Sequence, residues 1–131
     1  MAGVESRPTG LCILRDMQAE TSLVYADGEI LTKIREINPR VVAIDAPLSL
    51  PPGLNSLEER TGVHLRESDR ELLRRGIKFF PVTLGPMRKL TERGISLKKI
   101  LKAHNFVVIE AYPRGAQDVL GFLESKKGST I

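Results

Sequence analysis

Residues 41–53, VVAIDAPLSLPPG, constrain the fold more than any other stretch of the chain. Val41, Val42 and Ile44 are β-branched, which favours a strand. The run lacks the alternation of a strand with one wet face, so it predicts a strand covered on both faces, as in a parallel sheet. Pro47, Pro51 and Pro52 follow at once. A proline has no amide hydrogen with which to extend a ladder, so the strand must stop at Asp45 and the chain must turn away. A carboxylate at the carboxyl end of a parallel strand sits on the edge where open α/β sheets bind ligands.

Two other apolar runs end on an acid, MAGVE at Glu5 and FVVIE at Glu110. LCILRDM and TSLVYA are β-rich and separated by the polar QAE. Together with MAGVE they predict a three-stranded antiparallel meander. DGEILTKIREINP predicts a helix with Asp27 as its cap, Ile30, Ile34 and Ile37 on one face, and Asn38-Pro39 as its stop. Residues 54–105 read as a charged helical insert. It holds SLEER with Ser56 as cap, ESDRELLRRG ending at Gly76, then MRKLTERG, then SLKKILKAHN with Ser96 as cap. The resulting order is β-β-β-α-β, the insert, and β. It predicts one mixed α/β sheet with flanking helices in a single domain over residues 1–131.

The hydrophobic fraction of 41% and charged fraction of 27% are those of a soluble globular chain. No apolar run nears the roughly 18 residues of a transmembrane helix, and the N-terminus lacks a signal pattern, so a cytoplasmic protein is expected. The single cysteine, Cys12, lies in LCIL and reads as a buried small hydrophobe. The net charge of +4 is uneven, with twelve Lys/Arg against six Asp/Glu in residues 56–104. Such a segment attracts a polyanion. With no Trp, two Tyr and four Phe, base stacking has little support, and contact with nucleic acid would run through the backbone.

Adjacent strands lie about 4.8 Å apart, so Glu5, Asp45 and Glu110 on neighbouring parallel strand ends would converge. Left alone they would repel, and a hard divalent cation removes that repulsion. Arg66, Arg70 and Arg74 recur every four residues and would share a helix face. With Arg75, Lys78 and Arg88 they are candidate phosphate contacts. The alternative for the stripe is a salt-bridged surface that uses Glu67, Asp69 and Glu71. No partner spacing marks His64 or His104. Tyr112 is expected to pack its ring near the strand end and to use its hydroxyl locally.

VVAIDAPLSLPPG, RESDRELLRRG, KFFPVTLGPMRKLTERG and VVIEAYPRGAQDVLG resemble four successive blocks of the domain of unknown function 429 family, whose members are predicted RNase H-like nucleases. The resemblance covers residues 1–123. It implies an RNase H-like fold, a five-stranded mixed sheet of order 3-2-1-4-5, and an acidic site that takes Mg²⁺ or Mn²⁺. Asp45 matches the strand-four acid and Glu110 the acid before the Tyr-Pro pair. Arg66 and Asp69 match the R-x-x-D block. Glu5 stands where the family usually has aspartate. RNase H-like nucleases also draw an acid from a late helix, whereas Asp118 and Glu124 are the acids left here, neither in a recognisable late helix, and the chain reads as shortened at its C-terminus. The expectation is a metal-dependent nuclease with Glu5, Asp45 and Glu110 as catalytic metal ligands. The alternative is a non-catalytic nucleic-acid-binding or scaffold relative. A face left bare by the missing helix would favour a homo-oligomer.

Overall fold

The computed structural model describes residues 7–54 and 64–121. They form a mixed α/β protein with four helices and two small sheets. Two compact units are present, one up to Arg40 and one from Val41 onward.

In the first unit, β1 (Thr9–Arg15) and β2 (Gln18–Val24) form an antiparallel hairpin in which Thr9 pairs with Val24 and Arg15 with Gln18. The expected spacer QAE lies inside β2, and Asp16-Met17 makes the turn instead. A two-residue turn follows the twist of its strands, and it needs a residue that tolerates positive φ. Asp16 supplies this at φ 55°. Leu11 and Ile13 lie on the half-buried face of β1, so alternation turns Cys12 to solvent. Its expected burial is thereby corrected.

Helix α1 (Asp27–Ile37) follows the hairpin and buries Ile30 and Ile34. Its cap residue is Ala26 rather than Asp27, which becomes a first-turn acid favourable to the helix dipole. Asn38 ends it as expected, in the left-handed region at φ 53°, with its amide on the Ile34 carbonyl at 2.8 Å.

In the second unit, β3 (Val42–Ile44) pairs in parallel with β4 (Val108–Glu110), as the two runs VVAID and FVVIE predict. The ladder is short, with Ile44 opposite Glu110. Ala43 and Ile109 are exposed, so among the described residues of this unit one face of the pair is left uncovered. Helix α2 (Glu67–Arg74) stops at Gly76, φ 71°. There the Ile77 amide reaches the Leu72 carbonyl and the Gly76 amide the Leu73 carbonyl, a doubly bonded helix end that a left-handed glycine permits.

The expected break between MRKLTERG and SLKKILKAHN is absent, because α3 (Met87–Ala103) is one continuous helix. Ser96 is an exposed interior residue and not a cap. Gly94 is buried, and its missing side chain serves a close approach rather than a stop. Leu97 and Leu101 extend the same buried stripe, and Leu101 is fully buried. Helix α4 (Pro113–Val119) starts directly after β4, with Pro113 at its first position, where the lost amide costs nothing. Among the described residues no helix is long and apolar enough to cross a membrane. SLEER and the run MAGVE lie outside the described residues.

A candidate site at the carboxyl ends of the parallel strands

The chain leaves β3 at Asp45, which is exposed, and then buries Ala46, Pro47 and Leu48. Helix α3 runs flush along this segment. A Cβ on Gly94 would stand 2.6 Å from the Pro47 carbonyl oxygen and 3.1 Å from the Ala46 Cβ. One turn further on, the Lys98 ammonium lies 3.4 Å from the Leu48 carbonyl oxygen. The amide of Leu48 faces the other way and donates to Glu110 Oε2 at 2.9 Å.

Glu110 is the centre of an ionic cluster. Arg66 grips it with both ends of its guanidinium, Nη1 to Oε2 at 2.7 Å and Nη2 to Oε1 at 2.8 Å. The other edge of the same guanidinium grips Asp69, Nε to Oδ2 at 3.0 Å and Nη2 to Oδ1 at 2.9 Å. Nη1 also reaches Ser49 Oγ at 3.3 Å. All five N–H donors of Arg66 therefore have a partner. Asp69 Oδ2 additionally accepts the Arg66 backbone amide at 2.9 Å, closing the first turn of α2. Arg66 and Asp69 are buried, while the Glu110 side chain keeps 33% exposure. Burial works against the Arg66 charge, but the hydrogen bonds it donates to Glu110 and Asp69 outweigh that and hold the guanidinium above its ordinary pKa. One cation between two carboxylates leaves the cluster with one net negative charge.

Of the three predicted carboxylates, Glu5 lies outside the described residues. Asp45 and Glu110 end adjacent parallel strands, but differently. Glu110 is the last residue of β4 and the register partner of Ile44, whereas Asp45 lies just beyond β3, where the chain bends away. Asp45 forms no hydrogen bond or ion pair with a described residue, whereas Glu110 has three donors. Among the described residues no three His, Cys, Asp or Glu side chains gather around a point that would hold a metal.

The predicted basic stripe is divided. Arg66 stands before the first turn of α2, buried, and does not share an exposed face with Arg70 and Arg74. Arg74 pairs with Glu71 at 2.8 Å and Arg75 with the same carboxylate at 2.8 Å. Arg70 and Lys78 are exposed, and Arg88 is half-buried. His64 contacts the Thr83 hydroxyl at 2.7 Å, and His104 lies 2.9 Å from the Ile100 carbonyl oxygen.

Tyr112 behaves as expected. Its hydroxyl donates to the Lys78 carbonyl, and its ring packs so tightly on Gly115 that a Cβ there would lie 2.7 Å from the ring. Burial first, and then the negative charges of Asp118 and Asp45 against the opposing Arg114, raise its phenol above the ordinary value. A raised folded-state pKa means that the folded protein holds this proton more tightly than the unfolded chain. The contribution is thus fully present below about pH 10 and lost as pH rises beyond it. Urea unfolding at pH 9 and pH 11 is expected to show that loss, and Tyr112→Phe to flatten it.

Sequence reasoning missed the helical setting of Asp118 and the parts played by Ser49 and the Leu48 amide. Asp118 does sit on a late helix, α4, where it pairs with Arg114 at 3.2 Å. Ser49 and the Leu48 amide carry no sequence signal. The hub role of Arg66 was partly signalled by the R-x-x-D spacing, which places an acid where it can close a helical turn.

These features define a mixed α/β protein with strand-end acids, one open and one clasped by a buried arginine. Over residues 3–129 the sequence matches the family described as Protein of unknown function (DUF429), and the chain belongs to that family. No curated protein and no solved structure matches it.

Proposed function

We propose that the chain is a metal-dependent phosphodiester hydrolase, a nuclease of RNase H-like fold, organised around Asp45. In this reading β1 and β2 are the second and third strands and β3 and β4 the fourth and fifth. The first strand, which the sequence places in MAGVE, lies outside the described residues, and the order 3-2-1-4-5 is part of the reading. The observed succession of an antiparallel hairpin, a helix and a parallel pair supports that arrangement.

The observation that carries the reading is the state of Asp45. Glu110, Asp69 and Asp118 are each paired with an arginine, whereas Asp45 stands exposed at a parallel strand end without a described partner. A hard cation takes such a carboxylate oxygen, and Mg²⁺ is commonly held by one or two carboxylates plus substrate phosphates. Asp45 fits that role, while Glu5, the other acid of the expected set, lies outside the described residues. A bound Mg²⁺ or Mn²⁺ would polarise a phosphoryl oxygen and acidify a water. Arg70 and Lys78 are exposed and would meet backbone phosphates, a contact that gives affinity without sequence preference.

The clasped state of Glu110 favours a second reading, a nucleic-acid-binding or scaffold relative without catalysis. Cleavage of labelled single-stranded, double-stranded and hybrid oligonucleotides separates the two. The hydrolase reading expects cleavage that requires Mg²⁺ or Mn²⁺, stops with EDTA, and falls by at least 100-fold, about 2.7 kcal/mol of barrier, in Asp45→Asn. A folded wild-type protein that cleaves none of these substrates leaves the binding reading in its place.

A further inference from the structure

We propose that Glu110 is a positioning residue for Asp45 and not a metal ligand. The inference rests on the reading of Asp45 as the cation-binding carboxylate and assigns the second strand-end acid a different task.

Three donors occupy Glu110, two from Arg66 and one from the Leu48 amide, and together they fix the plane of its carboxylate. Coordination to a cation would pull negative charge from a bidentate arginine pair, the strongest kind of side-chain hydrogen bonding. The Leu48 bond has the opposite value. Leu48 lies three residues after Asp45, on the segment that carries the chain away from β3. Glu110 and Arg66 hold that segment from one side, through the Leu48 amide and Ser49 Oγ. Helix α3 holds it from the other, through Gly94 against Pro47 and Lys98 against the Leu48 carbonyl. The segment cannot shift without breaking one of these contacts, so the direction in which Asp45 leaves the strand is set. Asp69 has a part in this as well. By taking the other edge of Arg66, it helps to fix the plane of the guanidinium that holds Glu110. Outer residues that orient a ligand in this way typically change metal affinity by about 10- to 100-fold when removed.

The test is Mn²⁺ binding by the full chain, followed by electron paramagnetic resonance, in the wild type, Asp45→Asn and Glu110→Gln. The expected result is loss of binding in D45N, and in E110Q the same stoichiometry with about tenfold weaker affinity. Unchanged affinity in E110Q would overturn the proposal, as would loss as complete as in D45N. Should E110Q fail to fold, the wild type decides alone. With ¹³C-labelled carboxylates, saturating Mg²⁺ is expected to move the Asp45 resonance and leave that of Glu110 in place, and an equal movement of both overturns the assignment. A wild type that binds neither ion overturns the hydrolase reading itself and the inference with it. Binding that D45N abolishes and E110Q leaves untouched overturns the inference alone.

Discussion

Arg66→Met is expected to destabilise the protein by about 3–5 kcal/mol, a penalty typical of breaking a buried ion pair from one side. The substitution removes five satisfied donors at once and leaves the 2%-exposed Asp69 carboxylate without its counter-ion. Glu110 loses two of its three donors in the same step. Arg66→Lys keeps the charge but not the planar fork, so it should recover only part of the loss. Replacing Arg66, Asp69 and Glu110 together by apolar residues of similar volume is expected to restore most of it, because no uncompensated charge is then left buried. Urea midpoints across the series measure this. A single Arg66→Met variant as stable as the wild type would mean that the cluster contributes nothing.

Gly94→Val is the second large effect. In an exposed helix interior, replacing glycine gains up to about 1 kcal/mol of helix propensity. Here the new Cβ would stand 2.6 Å from the Pro47 carbonyl oxygen, a backbone atom, with the Ala46 Cβ and a Leu48 methyl also within 3.2 Å. Either α3 or the segment after Asp45 must move. Overpacking of this kind costs about 1–3 kcal/mol, which reverses the sign expected from propensity. Ser96→Ala, two residues on and exposed, provides the control and should gain a few tenths of a kcal/mol. Because the displaced carbonyl lies two residues after Asp45, Gly94→Val is also expected to weaken Mn²⁺ binding more than its stability loss explains.

What the sequence reveals here follows from how local the cause is. The stop of α1 at Asn38 and the end of α2 at Gly76 depend on turn chemistry within a few residues and are legible, whereas the hairpin is legible as a pair of strands but not in its turn, which falls at Asp16-Met17 and not at QAE. The parallel pairing of β3 and β4 is legible from two unalternating runs. Gly94 misleads because a glycine that ends a helix and one that lets a neighbour approach look alike until the neighbour is known. Arg66 misleads more deeply. Its four-residue spacing with Arg70 and Arg74 is that of an exposed stripe, but its principal partner, Glu110, lies 44 residues away. Burial of a charge is a tertiary fact, set by which counter-ions the fold brings to it. The same pairing separates Glu110 from Asp45, two acids that the sequence presents as equivalent.

The most direct test of the account is a crystal of the wild-type protein soaked in Mn²⁺ and measured near the manganese absorption edge. The account predicts an anomalous peak roughly 2.1 Å from an Asp45 carboxylate oxygen, in the range of hard-cation ligation, with Arg66 still clasping Glu110 and Asp69. A peak ligated by Glu110 with Arg66 turned away, or no peak at Asp45 at saturating Mn²⁺, would contradict it.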